Sequence, residues 1–167
     1  MARCLIIGCG CRGQALAAAL HERGHAVRGT TRDPARAASL QAAGVEPFVA
    51  DPDRVATLVP AFAQVGVACV LLGSAAGSDE AVAALHSTRL EMLLEKMVDT
   101  TLRGMVYECA GSVDCEVLAA GAALVQRSCA RWGLPYALLD ADPDDPTAWT
   151  TAAAGAVDGV LLGGVSG

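Results

Sequence analysis

Residues 3–13 read Arg-Cys-Leu-Ile-Ile-Gly-Cys-Gly-Cys-Arg-Gly. Cys4 to Ile7 are four consecutive apolar residues, which suits a parallel strand covered on both faces. They run directly into Gly8-x-Gly10-x-x-Gly13, and an alanine-rich amphipathic run follows from Gln14 to Arg23. Strand, glycine turn and helix in that order form the fingerprint of a dinucleotide-binding unit. Gly8 permits the tight turn, Gly10 lets a pyrophosphate approach the backbone, and Gly13 lets the helix sit close on the strand. Cys9, Cys11 and Arg12 fill the positions between them. The helix N-terminus would present unpaired N–H groups and about half a positive charge to the phosphates.

The next segment sharpens the expectation. Gly24-His25-Ala26-Val27-Arg28-Gly29-Thr30-Thr31-Arg32-Asp33 reads as a second strand and its exit turn. An acidic residue roughly 20 positions past the fingerprint would hold the ribose 2′-hydroxyl of NAD. Thr31 occupies that place and Arg32 follows it. A carboxylate would repel a 2′-phosphate, whereas a hydroxyl and a guanidinium bind one. NADP(H) is therefore preferred over NAD(H). The alternative is that Arg32 is a solvated turn residue beside Asp33-Pro34. Arg12 and Arg36 could assist or be solvated helix charges.

The 167 residues make one domain, 1–167, the default. A hydrophobic content of 53% fits a sheet covered on both sides. The net charge of −6 without a basic cluster argues against nucleic-acid binding and against anionic membranes. No apolar run is long enough to span a bilayer, and the first residues lead straight into a strand, so the expected location is cytoplasmic. Seven cysteines, at 4, 9, 11, 69, 109, 115 and 129, follow no disulfide framework and are expected to be reduced and mostly buried. Cys9-x-Cys11 lacks the second pair that a metal site needs, so no metal is expected. A position near a helix N-terminus could favour the Cys9 thiolate.

Strand and helix signals alternate to the end. After a first strand at 3–7, a helix at 11–23 and a second strand at 26–31, a helix is expected from Pro34 to Ala43, with Asp33 as N-cap and Gly44 as its stop. Glu46–Ala50 reads as a third strand, and Asp51-Pro52 as the opening of a helix through Leu58. Val65–Leu72 reads as a fourth strand ending in a loop, Gly73-Ser74-Ala75-Ala76-Gly77-Ser78. A helix at 87–101 carries Leu90, Leu93, Leu94, Met97 and Val98 as one apolar stripe, for packing on the sheet or in part as a homodimer seam. Gly104–Cys109 is a fifth strand. Cys115–Trp132 is a helix whose Val117, Gly121, Leu124, Ser128 and Trp132 share a face, closed by Gly133. Pro135–Leu139 is a sixth strand, and Asp145-Pro146 starts a last helix to about Leu162, followed by a Gly-rich tail. The alternation predicts an α/β fold: a doubly wound parallel Rossmann sheet of about six strands, in the order 3-2-1-4-5-6, with helices on both faces. Ligands of such sheets bind beyond the strand C-termini at the reversal of order. Gly8–Gly13, Thr31–Arg32, Asp51 and Gly73–Ala76 should therefore converge on one crevice.

Ile7-Gly8-Cys9-Gly10-Cys11-Arg12-Gly13 and Gly24-His25-x-Val27-x-Gly29-Thr30-Thr31-Arg32 carry a family resemblance. Residues 5–36 resemble the N-terminal half of atypical short-chain dehydrogenase/reductases, which include nucleotide-sugar-epimerase-like and NmrA-like proteins. The likeness extends more loosely to Leu139. It implies an NAD(P)-binding Rossmann fold and makes Asp51 similar to the strand-three aspartate that contacts adenine. Gly104–Cys109 and Gly133–Leu139 resemble strands five and six.

The departures from that family are chemical. Its Tyr-x-x-x-Lys acid/base pair belongs on the helix after strand five, and here that helix has neither residue. Ser112 matches the family serine, or caps the helix beginning near Asp114. The family's C-terminal substrate portion is represented by a single helix. Glu108, ending strand five, could face the nicotinamide and is the carboxylate to test first. Asp140, Asp142, Asp144 and Asp145 are expected to serve caps and turns. His21, His25 and His86 are read as helix-surface, strand-start and loop residues. The catalytic residues are left unassigned, and two functions stay open. One is an NADP(H)-binding reductase or epimerase with non-standard catalytic residues. The other is a non-catalytic redox-sensing module that acts through a protein partner.

Overall fold

Apolar β-branched runs flanked by glycine and polar turns become six strands in a computed structural model that describes residues 1–164. They are β1 (Arg3–Ile7), β2 (Ala26–Thr31), β3 (Glu46–Val49), β4 (Val67–Val70), β5 (Gly104–Glu108) and β6 (Tyr136–Leu139). All five pairings are parallel, and the order is β3-β2-β1-β4-β5-β6, as expected. The helices are α1 (Cys11–Glu22), α2 (Ala37–Ala42), α3 (Asp79–Leu85), α4 (Thr88–Met97), α5 (Cys115–Trp132) and α6 (Pro146–Leu161).

Alternation along β1 divides the core. Cys4 and Ile6 join Leu16 and Leu20 of α1, Leu40 of α2, and Trp149 and Val157 of α6 on one face. Leu5 and Ile7 join Leu58, Phe62, Leu90, Leu94 and Val125 on the other. Both faces of the central strands are thus buried, which is why they read as unbroken apolar runs. Among the described residues no helix is long and apolar enough to cross a membrane.

Several element expectations are corrected. The helix expected from Pro34 to Ala43 is a 3-10 turn, Pro34–Arg36, followed by α2. Asp33 does cap it, accepting from the Ala35 N–H, and Gly44 ends it at φ +79°. The helix expected from Asp51 to Leu58 is replaced by 3-10 turns at Val55–Thr57 and Val59–Phe62. Thr57 Oγ1 donates to the Asp51 and Arg54 carbonyls and accepts from the Asp51 N–H, so a side chain takes bonds a helix would use. Pro60 also lacks an N–H to continue a helix.

Strand β4 is shorter than Val65–Leu72, although the Leu71 N–H still donates to Ile7 O. Helix α3 occupies a stretch for which no helix was expected. Its signals are Ser78, which accepts from the Ala81 N–H, and the acidic pair Asp79 and Glu80 in the first turn. Helix α4 stops at Met97, not 101, because Thr100 Oγ1 takes the Met97 carbonyl, which leaves Val98 48% exposed and outside the stripe. Helix α5 has the expected ends but a rotated inner face: Leu118, Gly121, Val125 and Cys129 are buried, and only Gly121 is shared with the expected set. Gly121 lies against the Tyr107 hydroxyl, and that close approach sets the rotation. Helix α6 ends at Leu161, and the expected Gly-rich tail continues through Gly163 and Gly164 into residues outside those described.

Candidate functional site

The turn after β1 has the geometry that its glycines imply. Gly8 sits at φ +86°, and a Cβ there would stand 2.6 Å from the Leu71 carbonyl oxygen. Its N–H donates to Thr30 Oγ1 at 3.2 Å, the Cys9 N–H donates to Thr30 O at 3.3 Å, and the Gly10 N–H folds back to Gly8 O at 2.9 Å. A Cβ on Gly10 would meet nothing within 4 Å, so this backbone faces open space. A Cβ on Gly13 would lie 3.2 Å from Ile6 Cγ2 and from Cys9 Sγ, which is the close helix–strand packing expected of the third glycine. The first backbone bond into α1 is from the Gln14 N–H to Gly10 O. The N–H groups of Cys11, Arg12 and Gly13 find no backbone acceptor among the described residues. They form a ready anion site at the positive end of the helix.

That turn opens onto a cavity of about 380 Å³. It is lined by Gly8 to Gly13, Thr30 to Arg32, Arg36, Ala50 to Pro52, Leu71, Leu72, Ser74 to Ala76 and Leu85. Gly8, Cys9, Gly10, Cys11, Arg12, Gly13, Thr31, Arg32, Asp51, Ser74, Ala75 and Ala76 are thus brought together around this cavity. Gly73 does not line the cavity. Its N–H donates to Glu108 Oε1 at 2.8 Å and its carbonyl accepts from the Val113 N–H. Thr30, Ala50, Pro52, Leu71, Leu72 and Leu85 were not singled out from the sequence. Thr30, Ala50, Leu71 and Leu72 lie within two residues of a strand's C-terminal end, which is the signal that could have found them.

Charge is distributed unevenly around this cavity. Arg32 and Arg36 line it, and neither has an ion-pair partner among the described residues. Thr31 Oγ1 is engaged in the turn, donating to Asp33 O and accepting from the Asp33 N–H, each at 3.2 Å. Asp51 Oδ1 accepts from the Asp53 N–H, which leaves its second oxygen without a recorded partner. Arg12 is not a solvated helix charge: Nη2 lies 3.4 Å from Glu108 Oε1 and the guanidinium sits 5.3 Å from the centre of the Trp149 ring.

Glu108 does not face the cavity. It is 0% exposed, and Oε2 accepts from Trp149 Nε1–H at 3.0 Å. Burial pushes its carboxyl above the ordinary value, against the opposing pull of Arg12 and of the Gly73 and Trp149 donors. His86 is buried rather than a simple loop residue. Nε2 is 2.9 Å from the Leu72 carbonyl, which can only accept, so Nε2 carries the proton. Nδ1 then accepts from the Tyr107 hydroxyl at 2.6 Å. Burial lowers the His86 pKa and raises that of Tyr107, so both are neutral.

Other candidates settle into local roles. Cys9 turns its thiol into the core, and burial pushes it up to about 11, contrary to the favoured thiolate expected from its position. Cys4, Cys69 and Cys129 are also buried, Cys109 is half-buried, and Cys11 and Cys115 are exposed. Ser112 does not cap α5. Asp114 does, while the Ser112 N–H donates to Ser74 Oγ. Asp142 and Asp145 hold a turn and the N-terminus of α6. His25 Nδ1 accepts from the Ala2 N–H. No tyrosine, lysine or histidine is among the described residues that line the cavity.

The sequence of residues 8–124 matches a family described as NAD(P)H-binding. No curated protein matches the chain. Solved structures similar in fold include the triphenylmethane reductase of a Citrobacter species complexed with NADP(H), at 17% identity and TM-score 0.64 over 82% of this chain and 48% of that one. UDP-glucuronic acid 4-epimerase from Bacillus cereus in complex with NAD is similar at 15% identity and TM-score 0.64, over 83% and 56%. UDP-N-acetylglucosamine 4-epimerase from the same organism is similar at 13% identity and TM-score 0.66, over 84% and 53%. The chain spans about half the length of these three proteins.

Proposed function

Because the chain belongs to the NAD(P)H-binding family, we propose that the crevice at the ends of β1 to β4 holds a pyridine dinucleotide, with NADP(H) preferred over NAD(H). The observation that carries this is the glycine turn itself. Three N–H groups of α1, unpaired among the described residues, and an open Gly10 border the cavity that also takes in the ends of β2 and β3. Pyrophosphate belongs at Gly8–Gly13 and the adenosine end beside Thr31, Arg32 and Asp51, with Ser74 and Ala75 on the opposite wall. A cavity of this volume lies within the usual range for ligand sites.

The NADP preference rests on Arg32 and Arg36. Both line the cavity free of ion pairs among the described residues, while Asp33, the carboxylate next to Arg32 in the chain, accepts from the Ala35 N–H. Gly73 supports the site through Glu108 and does not touch the ligand. A bound nicotinamide would supply hydride chemistry, and the protein's part is to hold and orient it. The fold likeness to epimerases and a reductase supports chemistry of that general kind, with catalytic residues other than Tyr-x-x-x-Lys.

The lining residues favour a second reading: binding without turnover, as a redox-sensing module that acts through a partner protein. No tyrosine, lysine or histidine lines the cavity among the described residues, and the Tyr107 hydroxyl is committed to His86. Residues 1–167 form one domain in either reading, and free thiols with a net negative charge fit a reducing, cytoplasmic setting.

Calorimetry with NADPH, NADP⁺, NADH and NAD⁺ tests the binding. NADP(H) is expected to bind more tightly. Arg32→Ala should weaken NADP(H) by roughly tenfold to a hundredfold and leave NAD(H) nearly unchanged. Equal losses for both pairs would remove the 2′-phosphate assignment. No binding of any of the four at millimolar concentration would remove the site. Binding without turnover on carbonyl and sugar-nucleotide panels separates the second reading from the first.

A further inference from the structure

Two consecutive residues of β5 reach opposite faces of the sheet, and both paths end on one peptide unit. On one face Glu108 Oε1 accepts from the Gly73 N–H at 2.8 Å. On the other, the Tyr107 hydroxyl donates to His86 Nδ1 at 2.6 Å, and His86 Nε2–H donates to the Leu72 carbonyl at 2.9 Å. Leu72 C=O and Gly73 N–H belong to the same planar amide. Glu108 and Tyr107 are 0% exposed and His86 is 1% exposed, so water does not compete for these bonds. The amide stands where β4 gives way to Ser74–Ala76, and those residues line the cavity together with Leu72. Rotating it would leave a buried carboxylate and a buried imidazole each short of a partner. The loop is also tied to the one after β5, since the Val113 N–H donates to Gly73 O and the Ser112 N–H to Ser74 Oγ.

Resting on the dinucleotide reading of this cavity, we propose that Glu108 and His86 are positioning residues of the site: they fix the Leu72–Gly73 amide, and with it the β4 wall against which the cofactor lies. The recorded partners of Glu108 are all donors, which suits an ionised carboxylate. The charged group facing it is Arg12 from α1. Gly73 and Trp149 approach from the β4 loop and α6 as neutral donors, and its chain neighbours Tyr107 and Cys109 are held neutral by burial. His86 faces only the Tyr107 hydroxyl and the Leu72 carbonyl among the polar groups bonded to it. Acid therefore acts on both ends. A proton on Glu108 discards the attraction of Arg12, and a proton on His86 turns Nδ1 into a donor facing a hydroxyl.

The test uses Glu108→Gln, His86→Gln and the near-isosteric Tyr107→Phe in the full chain. NADPH affinity is measured by calorimetry across pH, the Gly73 amide by hydrogen exchange in NMR, and folding by circular dichroism. Wild-type affinity is expected to fall on acidification. At neutral pH, Kd should rise about tenfold in Glu108→Gln and His86→Gln, and about threefold in Tyr107→Phe. The acid-side slope should flatten in Glu108→Gln, and the Gly73 amide should lose protection in all three. In a folded variant, either wild-type affinity or an unchanged Gly73 amide overturns the proposal. If Glu108→Gln and His86→Gln do not fold, Tyr107→Phe decides by the same two readouts. If the wild type binds no dinucleotide, the cavity assignment falls, and the Gly73 amide alone then decides whether Glu108 and His86 hold the loop.

Discussion

Cys9 and Cys11 are the same chemical group two positions apart, and the Gly10 turn sends them into opposite environments. Cys9 Sγ packs between Gly13 and Gly29, where added Cβ atoms would approach it to 3.2 and 2.7 Å, and burial raises its pKa to about 11. Cys11 stands exposed at the first position of α1 and lines the cavity. Since the thiolate is the reactive form and access is required, the two should differ sharply towards an alkylating agent. Iodoacetamide labelling of the native protein, read by peptide mass mapping, should modify Cys11 and Cys115 first. Cys4, Cys9, Cys69 and Cys129 should react only after denaturation. Saturating NADPH should slow Cys11 and leave Cys115 unaffected. Cys9 labelling as fast as Cys11 would contradict the inward orientation.

Helix α5 shows how much of an element is decided at its ends. The Asp114 carboxylate accepts from the Glu116 and Val117 N–H groups at 2.8 and 3.3 Å, and Gly133 closes the helix at φ +66°. Asp114→Ala should cost about 1 kcal/mol through loss of the cap, and Gly133→Ala about 1 kcal/mol through the strained left-handed backbone. The two sites lie about 28 Å apart along the helix, so urea denaturation of the double variant should show additive losses. An unchanged unfolding midpoint in either single variant would contradict the assigned termini. Ends of this kind are local, which is why both could be read in advance. The inner face could not, because its rotation depends on Gly121 meeting the Tyr107 hydroxyl from another element. The 51–58 stretch failed for a related reason: a helical-looking spacing lost to Thr57 bonding the backbone of Asp51 and Arg54.

Across the whole molecule, the buried pair His86 and Glu108 link stability to pH with opposite signs. The native pKa of His86 lies below its ordinary 6.5, so its contribution is present above 6.5 and is lost as pH falls towards the native value. Glu108 is raised above 4.5, so its contribution is present below 4.5 and is lost as pH rises through the native value. Urea denaturation should show the stability gap between wild type and His86→Gln narrowing as pH drops from neutral to about 5.5. A gap that widens would reverse the assigned protonation state of His86. The β1 glycine turn, the parallel strand order and the meeting of twelve of the thirteen expected residues around one cavity were determined by the sequence alone. Each follows from periodicity, from glycine backbone freedom, or from the rule that ligands meet parallel sheets at strand C-termini. The inward turn of Glu108 and Cys9, the burial of His86 against Tyr107 and the absence of Gly73 from the cavity wall were decided only by the tertiary structure. Those outcomes depend on which groups, distant in the chain, meet across the sheet, and a linear pattern carries no record of such meetings.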